Sequence, residues 1–169
     1  MIVSFDLDDT LFVNPDLVKT EKDLRFPYKY FYKEKLRFNT IKLLSKLKTN
    51  NIKIWIYTTS FRTEKYIKSY FRRYGIVIDE VINGERHNKE VQGNRKEALP
   101  SKYPSKYRID LHVDDDISVY QNGQLYGFKV FIVKNEDCDW SINLWEQIKK
   151  IMSKKWIFIY LKIVDHKIY

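Results

Sequence analysis

The sequence predicts an α/β fold in which a central parallel sheet is flanked by helices. Short apolar runs typical of buried strands lie at 2–6, 52–57, 109–113 and 129–133. Between them lie segments with apolar residues at helical spacing, and this alternation implies parallel strands joined by right-handed crossovers. The 169 residues favour a single domain, 1–169, large enough to bury a substantial core.

Helix and turn signals fill the intervals between these strands. Apolar residues at helical spacing predict helices over 40–48, from Thr63 to a stop at Gly75, and after Asp139. Asn39 is the predicted cap of the first helix. A short further strand is predicted within 77–82, and Asn122-Gly123 predicts a turn.

Composition limits the class of protein. The formal net charge of +9 favours an anionic partner, although a lysine-rich sequence encoded by an A/T-rich genome would have the same charge without one. A single cysteine, Cys138, excludes an internal disulfide framework and suits the cytoplasm. Neither a signal peptide nor a transmembrane helix is expected, and no membrane partner is predicted.

The most informative stretch is Asp6-Leu7-Asp8-Asp9-Thr10, which follows the first apolar strand. Carboxylates this close cannot all stay ionised without a cation or a shared proton. The carboxyl ends of strands are also where open α/β sheets place their ligands. The stretch therefore predicts a metal-assisted site built around Asp6 and Asp8.

This stretch resembles the first motif, DxDx[TV], of the haloacid dehalogenase (HAD) superfamily, and the resemblance extends over about residues 1–152. It implies a Rossmann-like HAD fold of the small, capless phosphatase-type branch. Asp6 would then attack a phosphoryl group to form an aspartyl-phosphate. Asp8 would protonate the leaving oxygen and later take a proton from water, while its backbone carbonyl would bind the metal.

The second and third motifs of the resemblance are a hydroxyl and a cation. Thr58, the first hydroxyl after the 52–57 strand, would donate to a phosphoryl oxygen, with Thr59 beside it as a second phosphate-binding residue. The cation that offsets the charge of nucleophile and phosphate is assigned to Lys102, because Lys102-Tyr103-Pro104 looks like a run in this branch. Lys106 and Lys96 are the alternatives.

The fourth motif is an acidic pair after the 109–113 strand. The resemblance makes Asp115 the main metal ligand and Asp114 a supporting one, with Asp116 as a cap or a solvent-facing residue. Hard oxygen ligands indicate Mg²⁺ as the cofactor. One cysteine and three histidines that are far apart in sequence offer no zinc site.

Substrate selection would depend on residues 12–38, since no large cap domain fits elsewhere in the chain. These residues are expected to form a short flap over an open site. Within 25–38, basic residues alternate with aromatic ones, a composition that suits nucleic acid. The alternative is that the rings pack on the core. The loop over 83–106 is also basic.

The sequence thus predicts a Mg²⁺-dependent phosphatase, most simply of a phosphorylated small molecule. One alternative is a phosphatase of nucleic-acid ends or phosphoproteins. Another is a catalytically idle HAD-fold protein that serves in binding or assembly. The extra apolar C-terminal segment 156–169 would be an edge strand or the surface of a homo-oligomer.

Overall fold

A computed structural model describes the backbone of residues 1–165 and the side chains of residues 1–154. By internal contacts the chain divides into two compact units. The first is Met1–Cys138, and the second begins at Asp139. The predicted single domain therefore stays a prediction, and the two units are described separately.

The first unit is built on a five-stranded parallel sheet. Its strands are β1 Ile2–Phe5, β2 Lys53–Tyr57, β3 Glu80–Ile82, β4 Leu111–Asp114 and β5 Val130–Ile132. Their order across the sheet is β3-β2-β1-β4-β5, and every neighbouring pair is parallel. The predicted Rossmann-like α/β architecture is confirmed.

The central strand β1 is buried on both faces, which explains why three of its four residues are apolar. Val3 and Phe5 are fully buried, and Phe5 lies opposite Ile56 of β2 and Val113 of β4. This register aligns the carboxyl ends of β1, β2 and β4 at one edge of the sheet. The residues that follow these strands are therefore neighbours in space.

Four helices belong to this unit: α1 Thr40–Thr49, α2 Glu64–Arg73, α3 Gly84–His87 and α4 Ile117–Tyr126. In α1 the predicted apolar face is buried through Leu43, Leu44 and Leu47. Thr63 caps α2, because its side chain accepts a hydrogen bond from the Tyr66 N–H.

Two local predictions are wrong. Asn39 occupies the N-cap position of α1, but its φ is 68° and its side chain makes no capping hydrogen bond. Asn122-Gly123 lies inside α4 instead of forming a turn, and the helix ends at Gly127, whose φ of 70° suits glycine. Gly123 is needed in the helix because a Cβ there would lie 2.6 Å from the Phe128 carbonyl oxygen.

Between β1 and α1 the chain forms turns, isolated bridges and one 3-10 turn, Tyr28–Tyr30. Bridges join Phe12 to Leu36 and Thr20 to Arg37, so both ends of the segment are tied together. Phe26, Tyr30 and Phe31 are 77%, 66% and 68% exposed, so these three rings do not pack on the core.

The second unit contains α5, Trp140–Asp165. Its backbone is helical over 156–165, so the edge-strand alternative for this segment is wrong, while 166–169 lie outside the described residues. The suggested role of 156–169 in self-association stays a prediction. Within the part of the chain that the structure describes, no helix is both long enough and apolar enough to cross a bilayer.

Candidate active site

Three strand ends bring the predicted site residues to one edge of the sheet. Asp6 follows β1, Thr58 follows β2, and Asp114 ends β4. The backbone fixes these positions directly, because the Asp6 N–H donates to the Val113 carbonyl at 2.9 Å. In parallel sheets, ligand-binding residues lie at the carboxyl ends of the strands, where the sequence predicts this site.

Three carboxylates converge there. Asp6, Asp114 and Asp115 each offer an oxygen within 4.8 Å of the others, and Asp6 and Asp114 are buried. At this separation two ionised carboxylates repel by about 3 kcal/mol even at an effective dielectric constant of ~20. The cluster therefore requires nearby positive charge.

Lys102 supplies one such charge. Its Nζ lies 3.0 Å from Asp6 Oδ1 and 2.5 Å from Asp114 Oδ2, and the side chain is buried. Burial alone would lower the pKa of Lys102, but the two carboxylates outweigh it and raise that pKa, so the ammonium stays charged. The two alternative lysines, Lys96 and Lys106, are both exposed.

A second buried chain of hydrogen bonds fixes Asp114. Ser4 Oγ lies 2.8 Å from His112 Nδ1, and His112 Nε2 lies 2.8 Å from Asp114 Oδ2. Burial lowers the pKa of His112, so the ring is neutral and donates from Nε2. Burial would raise the pKa of Asp114, but His112 and Lys102 outweigh it and hold that pKa at about 2.

The negative charge of Asp6 is less well compensated than that of Asp114. Burial, with a smaller contribution from Asp114, raises its pKa to about 7 despite the opposing effect of Lys102. The contact with Lys102 does not have hydrogen-bond geometry, so Asp6 Oδ1 is buried without a hydrogen-bond donor among the described residues. An oxygen in this position suits a cation.

The donor set fits a hard divalent cation such as Mg²⁺, because all three groups are carboxylates. For binding a cation, the carboxylate oxygens of Asp6 and Asp115 are more available than those of Asp114. Both oxygens of Asp114 are already held, Oδ2 by Lys102 and His112 and Oδ1 by the Asp116 N–H at 3.0 Å. Asp114 is thus better placed to support the site than to ligate alone.

Asp115 is oriented by the end of the first motif. Thr10 Oγ1 donates to Asp115 Oδ1 at 2.7 Å, and Thr10 is fully buried. Thr10 itself lies after a tight turn in which the Leu11 and Phe12 N–H groups donate to the Leu7 carbonyl. Asp9 has a φ of 59° in this turn, a left-handed conformation that Asp tolerates better than most residues.

The carboxylate of Asp8 lies outside the three-acid cluster. Asp8 Oδ2 accepts from Arg62 at 2.8 Å, and the Arg62 Nε donates to Glu34 Oε1 at 3.2 Å. The Asp8 side chain is half exposed. Arg62 therefore links the predicted proton donor to Glu34 in the 12–38 segment.

Thr58 and Thr59 differ in burial. Thr58 is buried, and its Oγ1 accepts from the Ser60 N–H at 3.2 Å, so its own proton remains available for a ligand oxygen. Thr59 is exposed, but its backbone is held close to α3. A Cβ added at Gly84 would lie 2.5 Å from the Thr59 carbonyl oxygen, so a glycine is needed at that position.

Comparison with solved structures identifies the architecture. The HAD domain of the effector protein Lem4 from Legionella pneumophila, an inactive mutant, superimposes with a TM-score of 0.50 at 19% identity. The match covers 90% of this chain and 92% of that one. The chain has the HAD fold.

A second HAD-fold comparison is weaker. D,D-heptose 1,7-bisphosphate phosphatase from B. bronchiseptica, complexed with magnesium and phosphate, gives a TM-score of 0.48 at 11% identity, covering 78% of this chain and 79% of that one. No family model and no curated protein sequence matches the chain. At 19% identity the comparison with the Lem4 domain establishes the fold alone.

Within the HAD fold, the structure brings Asp6, Lys102, Asp114 and Asp115 together and places Thr58 at the adjoining strand end. Their chemical roles stay predictions. Sequence reasoning missed the contacts of Thr10 and Arg62. The available signals were weak: Thr10 closes the first motif, and Arg62 follows the second by two residues.

Proposed function

We propose that the chain is a Mg²⁺-dependent phosphatase acting on phosphomonoesters through an aspartyl-phosphate on Asp6. The observation that carries this proposal is the convergence of Asp6, Asp114 and Asp115 around Lys102 at the carboxyl edge of the sheet. Positioning and charge neutralisation are what phosphoryl transfer chiefly requires. The single cysteine, Cys138, is compatible with a cytoplasmic location.

Asp6 is proposed as the nucleophile. Its carboxylate attacks phosphorus, the bond from phosphorus to the ester oxygen breaks, and the aspartyl-phosphate forms. Lys102 remains charged and offsets the negative charge that gathers between Asp6 and the phosphoryl group. Thr58 donates a hydrogen bond from its hydroxyl group to a phosphoryl oxygen, and Thr59 is a second phosphate-binding residue.

Asp8 is proposed as the general acid and base. It gives a proton to the departing oxygen and then removes one from the water that hydrolyses the aspartyl-phosphate. Arg62 donates to the Asp8 carboxylate at 2.8 Å, so this ion pair must open and Asp8 must take a proton from solvent before it can act as the acid.

Mg²⁺ would be held by Asp6 and Asp115, with the Asp8 carbonyl and Asp114 in support. When bound, it would neutralise part of the charge of the carboxylates and of the phosphoryl group. Asp115 is already oriented for this by its hydrogen bond from Thr10.

The test is phosphate release from an aryl phosphate, in EDTA and then in Mg²⁺, for the native chain, Asp6→Asn and Asp9→Asn. Asp9→Asn is the matched control, because it makes the same charge change at an exposed position in the same turn, and asparagine tolerates the left-handed conformation. We expect Mg²⁺-dependent release from the native chain and Asp9→Asn. Asp6→Asn should be slower by at least about 10²-fold.

Two outcomes would count against the proposal. Equal release from Asp6→Asn and native chain would exclude Asp6 as nucleophile. Absence of release from a folded native chain, whose thermal midpoint rises with Mg²⁺, would favour the idle binding protein.

A further inference from the structure

A large cavity lies away from the Asp6, Asp114 and Asp115 cluster, between the first part of the 12–38 segment and the end of α2. Its volume is about 750 Å³. Five basic side chains line it: Lys19, Lys22, Arg25, Arg72 and Arg73. A cavity of this charge concentrates anions.

Two acids, Glu21 and Asp23, also line the cavity, and both already accept hydrogen bonds or ion pairs from the protein. Asp23 accepts from Lys35 Nζ at 2.7 Å. Glu21 Oε1 accepts from the Ile41 N–H at 3.1 Å. The five basic side chains therefore outnumber the two acids, and each acid already has a partner within the protein.

Aromatic rings accompany the basic side chains. Tyr28, Phe38 and Tyr74 line the cavity. The Arg73 guanidinium lies 3.9 Å from the centre of the Tyr28 ring, which places a cation and a ring side by side. Next to Tyr28 in the chain, Phe26 and Tyr30 are 77% and 66% exposed, although burial of such rings is normally favourable.

A second cavity adjoins the first. It has a volume of about 340 Å³ and shares Tyr28 and Arg73 with the first. Its other lining residues are all aromatic: Phe31, Tyr32 and Tyr66.

Polar contacts connect this second cavity to the site. Tyr66 donates its hydroxyl to Glu34 Oε2 at 2.7 Å. Arg62 pairs with the other oxygen of Glu34 and with Asp8. The two cavities form a basic and aromatic track, and its residue Tyr66 is joined to Asp8 through Glu34 and Arg62.

We propose that this track binds single-stranded nucleic acid, with a phosphorylated end directed to Asp6. Phosphates of the strand would contact the five basic side chains, and unpaired bases would stack on the exposed rings. An acidic peptide would use the charges but leave the rings without a partner. The inference rests on the proposed phosphatase function for the chemistry at the strand end, but the binding itself is independent of turnover.

Binding is tested first with the intact chain carrying Asp6→Asn, so that no turnover occurs. The probe is a fluorescent single-stranded oligonucleotide with a terminal phosphate, titrated by anisotropy at several KCl concentrations. The variant adds Lys22→Glu and Arg25→Glu, two exposed cavity residues. The matched control adds Lys53→Glu and Lys129→Glu. Both residues are exposed and lie at the amino ends of β2 and β5, outside the lining of either cavity.

We expect the cavity variant to bind at least about tenfold more weakly than the control, with a slope of log Kd against log salt smaller by about 1.4. Tyr30→Ala should weaken binding about fivefold or more without changing that slope. Equal affinities of the cavity variant and the control would overturn the proposal. Displacement of the probe by polyglutamate as effectively as by unlabelled oligonucleotide would assign the cavity to acidic proteins instead.

Turnover then separates this inference from the proposed function. In an otherwise native chain, Lys22→Glu with Arg25→Glu should leave aryl phosphate hydrolysis unchanged and reduce release from the oligonucleotide end. Oligonucleotide binding without aryl phosphate hydrolysis would uphold the track and reject the phosphatase. If the native chain hydrolyses aryl phosphate, and the cavity variant and the control release phosphate from the oligonucleotide equally, the phosphatase would be upheld and the track rejected.

Discussion

At the scale of single residues, Lys102 is a buried, charged side chain between two buried carboxylates. A buried ammonium is costly, and so are two buried carboxylates close together, yet each offsets the other's cost here. Removing the cation alone would leave Asp6 without a compensating charge and Asp114 with only its hydrogen bonds from His112 and the Asp116 N–H. The arrangement is therefore stable only as a set.

Replacing Lys102 with methionine tests this balance. Methionine keeps most of the volume but has no charge, so Lys102→Met should lower the free energy of unfolding by about 3–5 kcal/mol. It should also abolish phosphate release. Urea unfolding in EDTA measures the first effect and the aryl phosphate assay the second.

The exposed Lys106 provides the comparison. Lys106→Met makes the same chemical change four residues away and should shift the unfolding free energy by no more than about 0.5 kcal/mol. If Lys102→Met proved as stable as Lys106→Met, the buried ion cluster would not be the source of stability described here.

The motif residues could be predicted from the sequence because motifs encode local spacing. Asp6, Thr58 and Asp114 all follow apolar strands, and strand ends meet in a parallel sheet. The contact of Arg62 with Asp8 could not be predicted, because it joins residues 54 apart through side chains. Nothing in the periodicity around Arg62 distinguishes it from an exposed helix-flanking arginine.

At the scale of elements, the strands and the helices α1, α2 and α5 followed the periodicity, while α3 and α4 were not predicted as helices. Asn122-Gly123 is a common turn pair, but here it lies inside α4, and Gly123 is needed because Phe128 and Val130 approach it too closely for a side chain. A residue that suits a turn was thus selected for helix packing. Local signals cannot separate these two uses of glycine.

Arg37 shows the same limit in the 12–38 segment. The sequence groups it with the basic residues that suit nucleic acid, but the structure buries it at 1% exposure. Its Nε donates to the Thr10 carbonyl at 2.7 Å, and another nitrogen donates to the Asp9 carbonyl at 2.8 Å. A third contact reaches the Lys134 carbonyl in the loop after β5. Arg37 therefore joins three loops beside the site.

Substituting Arg37 with lysine should destabilise the chain even though the charge is kept. One ammonium cannot reach all of these acceptors, so buried carbonyl oxygens lose their donors at about 1–3 kcal/mol each. We expect a loss of about 2–4 kcal/mol in urea unfolding. Phosphate release should also fall, because Thr10 orients Asp115.

The same substitution at Arg25 is the control, since that side chain is exposed in the same segment. Arg25→Lys should leave both the unfolding free energy and aryl phosphate turnover unchanged. Equal stability of Arg37→Lys and Arg25→Lys would show that the three loops do not depend on the guanidinium.

At the scale of the whole molecule, a parallel sheet with flanking helices could be predicted from the sequence, but the positions of the basic side chains could not. A net charge of +9 says nothing about where the cations lie. The fold places five basic side chains around one cavity and buries Lys102 and Arg37 for structural and site contacts. Only tertiary structure separates these groups.

The stability of the whole molecule should depend on pH through His87. Its Nδ1 lies 2.6 Å from the Tyr57 hydroxyl, which itself accepts from the Tyr103 N–H, so the Tyr57 proton is donated to a neutral His87 ring. Burial, with a smaller effect of Lys106, lowers the pKa of His87 in the folded chain. Below about pH 6.5 the unfolded chain then binds a proton that the folded chain does not, and stability falls as the pH falls.

His87→Gln removes this titration while leaving an amide oxygen that can accept from Tyr57. The difference in unfolding free energy between native chain and variant should be constant above pH 7. It should then change below pH 6.5 by up to about 1.4 kcal/mol per pH unit, with the native chain losing more. Urea unfolding from pH 7.5 to 5.0 measures both chains, and all other histidines cancel because they are common to both. Parallel pH profiles would mean that His87 titrates alike in the folded and unfolded chains, and that the hydrogen bond from Tyr57 does not hold it neutral.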